Sequence, residues 1–228
     1  MQNRKIIITE DGSTSIALIG QNESFHSIYG AIQESKHIFI ENGLKIIARN
    51  RREIKIFEMG FGTGLNALLT FLYGTKHDLE IDYLGIEAFP LENKLIEKLN
   101  FPELLDLTEA ETKLFNLLHF EAWNKSIQLS LNFKIEKRLE KLENVILKSE
   151  DFDLVYFDAF NPDYQPELWT EHIFKKLYLA MKTGGILMTY SAKGKVKRAL
   201  KTAGFELNAL PGPKGKREIT QAIKISII

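Results

Sequence analysis

The sequence has no cysteine, no net charge and no long apolar run. Without cysteine among its 228 residues, the chain has no disulfide, no cysteine-ligated zinc and no thiol nucleophile, and this composition suits a reducing cytoplasm. Thirty Lys and Arg balance thirty Asp and Glu, so a nucleic-acid partner requires a local basic patch. No run approaches the roughly 18 apolar residues of a membrane span, and the first residues lack a signal-peptide pattern. We therefore expect a cytoplasmic protein without a membrane partner.

The remaining composition is that of a folded globular protein. Hydrophobic residues make up 44% and charged residues 26%, which excludes a disordered or coiled-coil chain. The histidines do not cluster at metal-ligand spacing, and no cysteine completes a site, so we predict no metal. These histidines are His26, His37, His77, His119 and His172.

The order of apolar and amphipathic segments predicts an α/β fold. Residues 1–50 form a small N-terminal elaboration, with a β-hairpin at 5–8 and 15–19 and a loosely helical segment at 27–40. Residues 51–228 form the main domain, and the two parts make one structural unit. Strands are predicted in this domain at 54–57, 81–86, 127–135, 152–157, 186–190, 205–210 and 218–225. Helices are predicted at 64–73, 91–99, 102–120, 167–181 and 195–202.

This order predicts a mostly parallel sheet with helices on both faces, in which the closing hairpin contributes one antiparallel strand. Ligands bind such sheets outside the carboxyl ends of the strands, where the strand order reverses. The loops that follow the strands are therefore where functional residues are expected.

The first of these loops is rich in glycine and runs directly from a strand into a helix. It has neither the Gly-Lys-Ser/Thr of a phosphate-binding loop nor the spacing of a dinucleotide loop. Its pattern, Glu-x-Gly-x-Gly-x-Gly, resembles the cofactor loop of Rossmann-like S-adenosylmethionine methyltransferases, in which the acid helps hold the methionine amino group. A glycine-rich turn without a ligand is the alternative interpretation. The resemblance implies that S-adenosylmethionine contacts Glu58, Gly60, Gly62, Thr63, Gly64 and Asn66.

The second strand ends in an acid. Glu87 follows Gly64 by 23 positions, and an acid at this place accepts hydrogen bonds from ribose hydroxyls in nucleotide-binding folds. Hydrogen bonds to a charged acceptor contribute about 1.5–3 kcal/mol each. We therefore expect Glu87 and Ala88 to contact the cofactor, with a solvated loop carboxylate as the alternative.

The strand predicted at 152–157 is followed by Asp158, Phe160 and Asn161. In amino-group methyltransferases this location carries a polar residue, prolines and an aromatic residue that contact the methyl acceptor; here the order differs but the ingredients are similar. We predict these three as catalytic residues, with Asp158 also beside the cofactor and Phe160 stacked on a planar ring. A carboxylate near its usual pKa of about 3.9 is a weak base, so orientation and electrostatics are the expected role of Asp158.

Further motifs make the resemblance specific. They are Phe25-His26-Ser27, Gly30-Ala31, Gln33-Glu34-Ser35, Phe61-Gly62-Thr63-Gly64-Leu65-Asn66, Phe160-Asn161-Pro162, Pro166-Glu167-Leu168-Trp169, Gly184-Gly185-Ile186-Leu187, Val196-Lys197-Arg198-Ala199-Leu200, Ala203-Gly204-Phe205 and Gly215-Lys216-Arg217-Glu218. In this order, over nearly the whole chain, they resemble the methyltransferase domain of the tRNA 5-methylaminomethyl-2-thiouridine biosynthesis proteins.

The resemblance implies transfer of a methyl group from S-adenosylmethionine to the aminomethyl nitrogen of a tRNA wobble uridine. In many bacteria this domain is fused to a flavin-dependent oxidase that prepares the amine. The sequence stops just after the methyltransferase region, so we expect no fused oxidase and a separate enzyme that supplies the aminomethyl-uridine.

Glu136 and a set of basic residues are two further candidates for ligand binding. In the family an acid after the third strand contacts the adenine side, and Glu136 is the nearest candidate here; a solvated charge is the alternative. The second candidate is a basic patch for tRNA phosphates, for which a solvated basic face is the alternative. The residues predicted to bind tRNA are Lys195, Lys197, Arg198, Lys216 and Arg217. Arg217 and Glu218 are also candidates for an ion pair.

Two other functions fit parts of the pattern. An aminopropyltransferase-like enzyme acting on a small amine also has a glycine loop, an acid after the second strand and an aspartate after the fourth. A non-catalytic module that binds S-adenosylmethionine is the alternative outside enzymes. Retention of both Glu87 and Asp158 argues against it, because such a module needs no amine acceptor.

Overall fold

The computed structural model describes residues 4–226, so residues 1–3 and 227–228 of the two predicted parts lie outside it. It contains a three-stranded sheet and an eight-stranded sheet. The strands are β1 (Arg4–Ile8), β2 (Thr14–Leu18), β3 (Glu23–Ser24), β4 (Glu53–Met59), β5 (Glu80–Glu87), β6 (Lys125–Ser130), β7 (Phe133–Leu139), β8 (Phe152–Phe157), β9 (Met181–Thr189), β10 (Glu206–Pro211) and β11 (Glu218–Ile223). The predicted hairpin at 5–8 and 15–19 is confirmed as β1 and β2, with β3 added at its edge.

The large sheet has the order β10-β11-β9-β8-β4-β5-β7-β6. Its five central strands, from β9 to β7, run parallel, which confirms the predicted α/β class. We expected one antiparallel strand, but there are two, because β6 runs antiparallel to β7 just as β11 does to β9. The chain builds outward from β4 to β5 and β7, then returns to β8 on the other side of β4. This reversal marks the expected ligand crevice.

Helices cover both faces of this sheet, as predicted. They are α1 (Ala31–Ser35), α2 (Lys45–Ile47), α3 (Leu65–Lys76), α4 (Asn93–Ile96), α5 (Phe101–Leu104), α6 (Glu109–Phe120), α7 (Glu171–Ala180) and α8 (Gly194–Ala203). A π-helical segment (Lys36–Leu44) joins α1 to α2, and a 3-10 turn (Pro166–Trp169) precedes α7. Helix α8 ends at Gly204, whose left-handed φ of 111° closes the helix.

One predicted strand and one predicted helix are wrong in their extent. The strand expected at 127–135 is the hairpin of β6 and β7, and the turn exposes 97% of Leu131. The apolar alternation continues with the same parity across this turn, so the sequence pattern does not reveal it. The helix expected at 102–120 is broken, because α5 ends at Leu104 and Thr108 caps the separate helix α6.

Three other predicted helices also have different bounds. The segment expected at 91–99 forms only the single turn of α4, and that expected at 27–40 begins at α1 and continues as the π-helical segment. The helix expected at 167–181 starts later, because the Thr170 hydroxyl caps α7 by accepting from the Ile173 amide at 3.4 Å. It ends at Ala180, and Met181 already belongs to β9.

Two apolar cores, one on each face, hold the sheet between its helices. The first packs α3, α6 and the π-helical segment on one face around Tyr83 and Tyr156, and the second packs α7 and α8 on the other around Phe57 and Phe174. Each of these four aromatic side chains is fully buried, and such burial contributes about 1.5–3 kcal/mol per side chain. The cores fix the strand ends, and thereby the loops that form the site.

The N-terminal elaboration is anchored beside the carboxyl ends of these strands. The Asn100 side chain accepts from the Thr14 amide at 2.8 Å and donates to the Gly12 carbonyl at 2.9 Å. The Arg4 guanidinium donates to the Phe89 and Pro90 carbonyl oxygens at 2.7 and 2.9 Å, in the loop after β5. These contacts make the elaboration one wall of the crevice.

Candidate active site

A cavity of about 380 Å³ opens at the carboxyl ends of β4, β5 and β8. The glycine loop after β4 forms its floor, and the loops after β5, β7 and β8 form three sides. The N-terminal elaboration closes the fourth side. The cavity therefore lies where the strand order reverses, as expected for this fold.

The glycine loop needs glycine at its closest approach to β8. Gly60, Gly62 and Gly64 have φ values of 90°, 50° and 67°, which L side chains rarely adopt. A Cβ at Gly60 would lie 2.5 Å from the Asp158 carbonyl oxygen. Gly60, Gly62 and Thr63 line the cavity. Gly64 instead begins α3 and packs on the His119 ring.

The predicted acid Glu58 lies behind the cavity rather than in it. Its side chain is fully buried, and its Oε1 accepts from Asn66 Nδ2 at 3.0 Å. Burial raises the pKa of Glu58 well above its usual value, which favours the neutral acid. Among residues 4–226, Oε2 has no hydrogen bond of normal geometry, although Tyr83 interacts with it electrostatically.

Asn66 connects the buried acid to the cavity. The same Nδ2 donates to Asp158 Oδ2 at 2.9 Å, and both Asn66 and Asp158 line the cavity. An amide nitrogen has two hydrogens, so it can make both bonds at once. Glu58 therefore acts on the cavity through Asn66 and Asp158.

Glu87 holds the rim opposite β8. Its Oε2 accepts from the Gly62 amide at 3.1 Å and its Oε1 from the Phe89 amide at 2.9 Å. A carboxylate offers about four acceptor positions, so each oxygen retains a lone pair. Glu87 and Ala88 both line the cavity, and Glu87 is placed to accept from a ligand's hydroxyls.

Asp158 has an unusual pKa. Burial and, next to it, the nearby Glu34 carboxylate raise the pKa of its carboxyl to about 7, against the Asn66 hydrogen bond and Lys216, which act in the opposite direction. We expected a carboxyl of ordinary acidity, and burial of Asp158 is the main reason for the difference. A carboxylate with this pKa is a competent general base near neutral pH.

Phe160 and Asn161 lie beside Asp158 and also line the cavity. The Phe160 ring meets the rings of Phe25 and Tyr164 edge-on, with centroids 5.1 and 5.7 Å apart. Asn161 Oδ1 accepts from Lys193 Nζ at 2.9 Å, which ties the loop after β8 to the start of α8. The structure thus brings the three predicted catalytic residues together.

Many lining residues were not predicted as site residues, and four of them bear on the chemistry. Phe25, His26 and Glu34 come from the N-terminal elaboration, and Tyr190 follows β9. Phe25-His26-Ser27 and Gln33-Glu34-Ser35 are among the motifs that carry the family resemblance, so the sequence held a signal for three of them. Burial lowers the pKa of His26 to about 4, which keeps its ring neutral.

Glu136 is not brought to the cavity. It lies inside β7, opposite Leu84 of β5, and pairs with Arg138, whose Nε is 2.7 Å from Glu136 Oε1. Strand β7 continues to Leu139, so the loop at its carboxyl end starts later than we expected. The residues that line the cavity there are Glu140, Lys141, Leu142 and Glu143.

Most of the predicted basic patch is ion-paired. Lys195 lies 2.6 Å from Asp163, and Lys216 lies 3.4 Å from Glu34. Lys197 pairs with Glu218, so the expected Arg217–Glu218 pair is replaced. Arg198 and Arg217 are exposed and have no ion pair within residues 4–226.

Residues 4–226 contain neither a candidate metal site nor a candidate membrane-spanning helix. No group of three or more His, Cys, Asp or Glu side chains in residues 4–226 is arranged to hold a metal ion. None of the helices in the same residues is long and apolar enough to cross a membrane. The absence of a metal from the reaction remains a prediction.

Solved structures resemble this fold over almost all of the chain. MNMC2 from Aquifex aeolicus superposes with a TM-score of 0.81 at 23% identity, covering 100% of this chain and 72% of that one. Spermidine synthase from Thermotoga maritima superposes with a TM-score of 0.60 at 17% identity, covering 98% of this chain and 69% of that one. At these identities the likeness establishes the fold.

Sequence relatives are found among curated bacterial proteins. The tRNA 5-methylaminomethyl-2-thiouridine biosynthesis bifunctional protein MnmC of Cupriavidus metallidurans is 30% identical over 217 residues, which are 88% of this chain and 31% of that protein. The protein of the same name from Burkholderia thailandensis is 29% identical, covering 93% of this chain and 34% of its own length. The chain therefore spans about a third of the length of these relatives.

A family model described as S-adenosyl-L-methionine-dependent methyltransferase matches residues 106–225, which is more than half of the chain. This match agrees with a cavity at the strand-order reversal, a triple-glycine loop and an acid after the second strand of the sheet. The chain belongs to the S-adenosyl-L-methionine-dependent methyltransferases.

Proposed function

We propose that this methyltransferase methylates the primary amine of an aminomethyl group on a tRNA wobble uridine, giving 5-methylaminomethyl-2-thiouridine where the base is thiolated. The name of the curated relatives supports this product. The observation that carries the proposal is Asp158, a carboxyl with a pKa near 7 at the end of β8, open to the cavity and beside an aromatic residue.

The residues of the cavity fit S-adenosylmethionine. The cofactor supplies a methyl group on a positively charged sulfur. Glu87 would accept from its ribose hydroxyls, and the missing Cβ at Gly60 lets the glycine loop lie against the Asp158 backbone beside the cavity. Asn66 and Asp158, backed by Glu58, would hold the methionine end, where an ammonium needs acceptors.

The chain must then present the acceptor amine without its proton. A primary alkylamine has a pKa near that of lysine, about 10.4, and only its neutral form has a lone pair that can attack. Transfer of the proton to a carboxyl of pKa about 7 costs about 5 kcal/mol. Transfer to one of pKa about 3.9 costs about 9 kcal/mol. Asp158 therefore takes the proton, which leaves the amine nitrogen with a free lone pair to attack the methyl group.

The charges around the cavity match an RNA acceptor with a cationic side arm. Seven carboxyl side chains line the cavity, among them Glu23, Glu34 and Asp158, against three cationic side chains, Arg4, Lys141 and Lys216. This interior repels phosphate and admits an amine. The exposed Arg198 and Arg217 lie outside it and would hold phosphates, with help from Lys195 and Lys197 when their carboxylate partners release them.

The two predicted parts of the chain would work as one unit in this reaction. We include residues 1–50 in the enzyme because Phe25 and Glu34 form a wall of the cavity that residues 51–228 leave open. A separate enzyme would supply the aminomethyl-uridine, and the reaction would take place in the cytoplasm, where tRNA is modified. A cysteine-free chain suits this reducing compartment.

The test is methyl transfer with purified protein and methyl-labelled S-adenosylmethionine. Acceptors are an anticodon stem-loop with 5-aminomethyl-2-thiouridine, the same stem-loop with unmodified uridine, and putrescine. We expect label only in the aminomethyl stem-loop, with nucleoside mass spectrometry showing one added methyl group. Label in putrescine, or aminopropyl transfer to it from decarboxylated S-adenosylmethionine, would instead support a small-amine transferase.

A further inference from the structure

Besides Asp158, the cavity lining contains a buried carboxylate that takes no part in the proton transfer described above. Glu34 belongs to α1, and only 8% of its surface is exposed. Its Oε2 accepts from the Ser27 amide at 2.7 Å. Its other oxygen, Oε1, lies 3.4 Å from Lys216 Nζ, and both residues line the cavity.

Lys216 places an ammonium group in this corner of the cavity. Its Nζ lies 4.7 Å from the centroid of the Tyr190 ring as well as 3.4 Å from the Glu34 carboxylate. A carboxylate and an aromatic face together form a usual binding arrangement for a cationic amine. The corner is therefore built for a primary ammonium, and a side chain of the protein occupies it.

Asp158 shares this corner electrostatically. Glu34 raises the pKa of Asp158 and Lys216 lowers it, so the three charges interact across one space. With all three ionised, the two carboxylates and one ammonium have a net charge of minus one. A second ammonium is attracted to this corner, and an anionic group is repelled.

We propose that Glu34 is the carboxylate with which this site selects an acceptor that carries a primary amine, and that Lys216 holds the ammonium position until the acceptor arrives. The inference rests on the proposed function, because it specifies how the amine-bearing arm is recognised. The charge of Glu34 sets the specificity for an amine-bearing acceptor, whereas Asp158 accepts the proton of the amine.

A purely structural role for Glu34 makes a different prediction. The hydrogen bond from the Ser27 amide needs only an oxygen, which a glutamine side chain also offers. Glu34→Gln therefore preserves the shape and the bond to Ser27 but removes the charge. If Glu34 only supports the fold, this variant behaves like the wild type.

The experiment compares the affinities of two RNA stem-loops that differ only at the wobble base. One carries 5-aminomethyluridine and the other 5-methyluridine, and S-adenosylhomocysteine is present so that no turnover occurs. We expect the wild type to bind the amine-bearing RNA about tenfold more tightly, and Glu34→Gln to reduce this preference below about twofold. The matched control is Glu10→Gln. Glu10 is exposed outside the cavity and lies 2.7 Å from Lys214, which belongs to the same loop as Lys216. The control variant should keep the full preference.

Lys216→Met gives an independent measurement. It removes the competing ammonium, so the preference for the amine should stay the same or increase, even if both RNAs bind more weakly. If Glu34→Gln prefers the amine-bearing RNA as strongly as the wild type does, the proposed role of Glu34 is wrong. The role is also wrong if Lys216→Met loses this preference. If the wild type neither methylates the amine-bearing RNA nor prefers it, the proposed function is wrong as well. Methylation by the wild type therefore separates a failure of the Glu34 proposal from a failure of the proposed function.

Discussion

Asn66 Nδ2 lies 2.9 Å from Asp158 Oδ2 and donates a hydrogen bond to it. Asn66 is in the first turn of α3, so this bond joins the glycine loop to the loop that follows β8. A donated hydrogen bond favours the charged form of a carboxyl, and here it lowers the Asp158 pKa that burial raises. The acidity of Asp158 is therefore set jointly by burial, Glu34, Lys216 and this amide.

Asn66→Leu should move the pH dependence of methyl transfer to higher pH. The substitution removes the donor, so the pKa of Asp158 rises and a higher pH is needed to ionise the base. A hydrogen bond to a charged group contributes about 1.5–3 kcal/mol, which corresponds to about one to two pH units. The measurement is kcat against pH. Thr70→Val is the control, since Thr70 lies on the same helix and contacts the Tyr156 hydroxyl instead; an unshifted profile in Asn66→Leu would contradict the assignment.

Asp158→Asn should reduce kcat by about two orders of magnitude or more, the usual contribution of a general base. Affinity for S-adenosylmethionine should change much less, because the asparagine oxygen still accepts from Asn66. Raising the pH should partly restore turnover, since solvent then removes the amine proton. Single-turnover methylation and cofactor titration measure the two effects. Near-normal turnover at neutral pH would leave Phe160 and Asn161 as the acceptor-binding candidates.

The same variant should be more stable than the wild type above pH 7. The folded-state pKa of Asp158, about 7, exceeds the unfolded value of about 3.9, so the folded state binds the proton more tightly. The wild type therefore loses stability as the pH rises from about 4 to about 7, by at most about 4 kcal/mol. Asparagine has no such dependence. Urea unfolding at pH 5 and pH 8 should show a difference between the two proteins that grows with pH, and a constant difference would refute the raised pKa.

The order of elements and the glycine loop were predictable because both depend on local patterns. Apolar periodicity identified β4, β5, β8 and β9 but merged β7 with β6, and three glycines after a strand identified the turn. The position of Glu136 was not predictable in this way, because the end of β7 is set by pairing with β5, where Leu139 lies opposite Glu87. A single strand's alternation carries no information about where its neighbour ends.

The acceptor corner could not be assembled from the sequence for a related reason. Glu34 and Lys216 are 182 positions apart and meet only because the N-terminal elaboration packs beside the last hairpin. The Lys214 amide donates to Gln33 Oε1 at 3.1 Å and helps to fix this approach. Likewise, Lys195 and Lys197 form ion pairs with acids that are about 20 to 30 positions away in the sequence. A run of basic residues therefore predicts more unpaired positive charge than the structure has.

Glu87→Ala should remove most of the stabilisation that the cofactor gives. At a hundredfold excess over Kd, a ligand stabilises its protein by about 2.7 kcal/mol. Loss of the carboxylate removes the acceptor for the ribose and also frees the amides of Gly62 and Phe89. Thermal unfolding with and without S-adenosylhomocysteine measures the effect. Glu80→Ala, at the opposite end of the same strand, is the control; equal ligand-induced shifts in the two variants would show that the ribose is held elsewhere.

Arg198 and Arg217 should contribute more to tRNA affinity than Lys195 and Lys197. The arginines have no ion pair within residues 4–226, whereas both lysines must first leave a carboxylate. Each neutralised phosphate changes the slope of log K against log salt by about 0.7 to 0.9. Arg198→Ala with Arg217→Ala should therefore flatten the slope by about 1 to 2, and the lysine pair by less. Equal slopes in the two double variants would mean that the ion pairs do not limit the contribution of the lysines to tRNA binding. An unchanged slope in both would mean that this basic surface is solvated and does not contact tRNA phosphates.

Lys137 should make stability depend on pH in alkaline solution. Its side chain is 2% exposed, and its Nζ donates to the carbonyl oxygens of His119 and Glu121 at 3.1 and 3.0 Å, over the Trp123 ring. Burial lowers the pKa of Lys137 to about 8, although the charge of Glu121 acts in the opposite direction. The unfolded chain binds the proton more tightly between about pH 8 and 10.4, so the wild type gains stability as the pH rises through this range, by at most about 3 kcal/mol.

Lys137→Met separates this effect from other alkaline titrations. Methionine fills a similar volume beside Phe61 and Trp123 but has no proton to lose, so the gain with pH disappears. The variant also leaves two carbonyl oxygens without their donor, which costs about 1–3 kcal/mol at any pH. Urea unfolding at pH 7.5 and pH 9.5 should therefore show the variant falling further behind the wild type at the higher pH. A difference that shrinks with pH would mean that Lys137 stays fully charged in the folded protein, stabilised by the carbonyl oxygens and the indole ring alone.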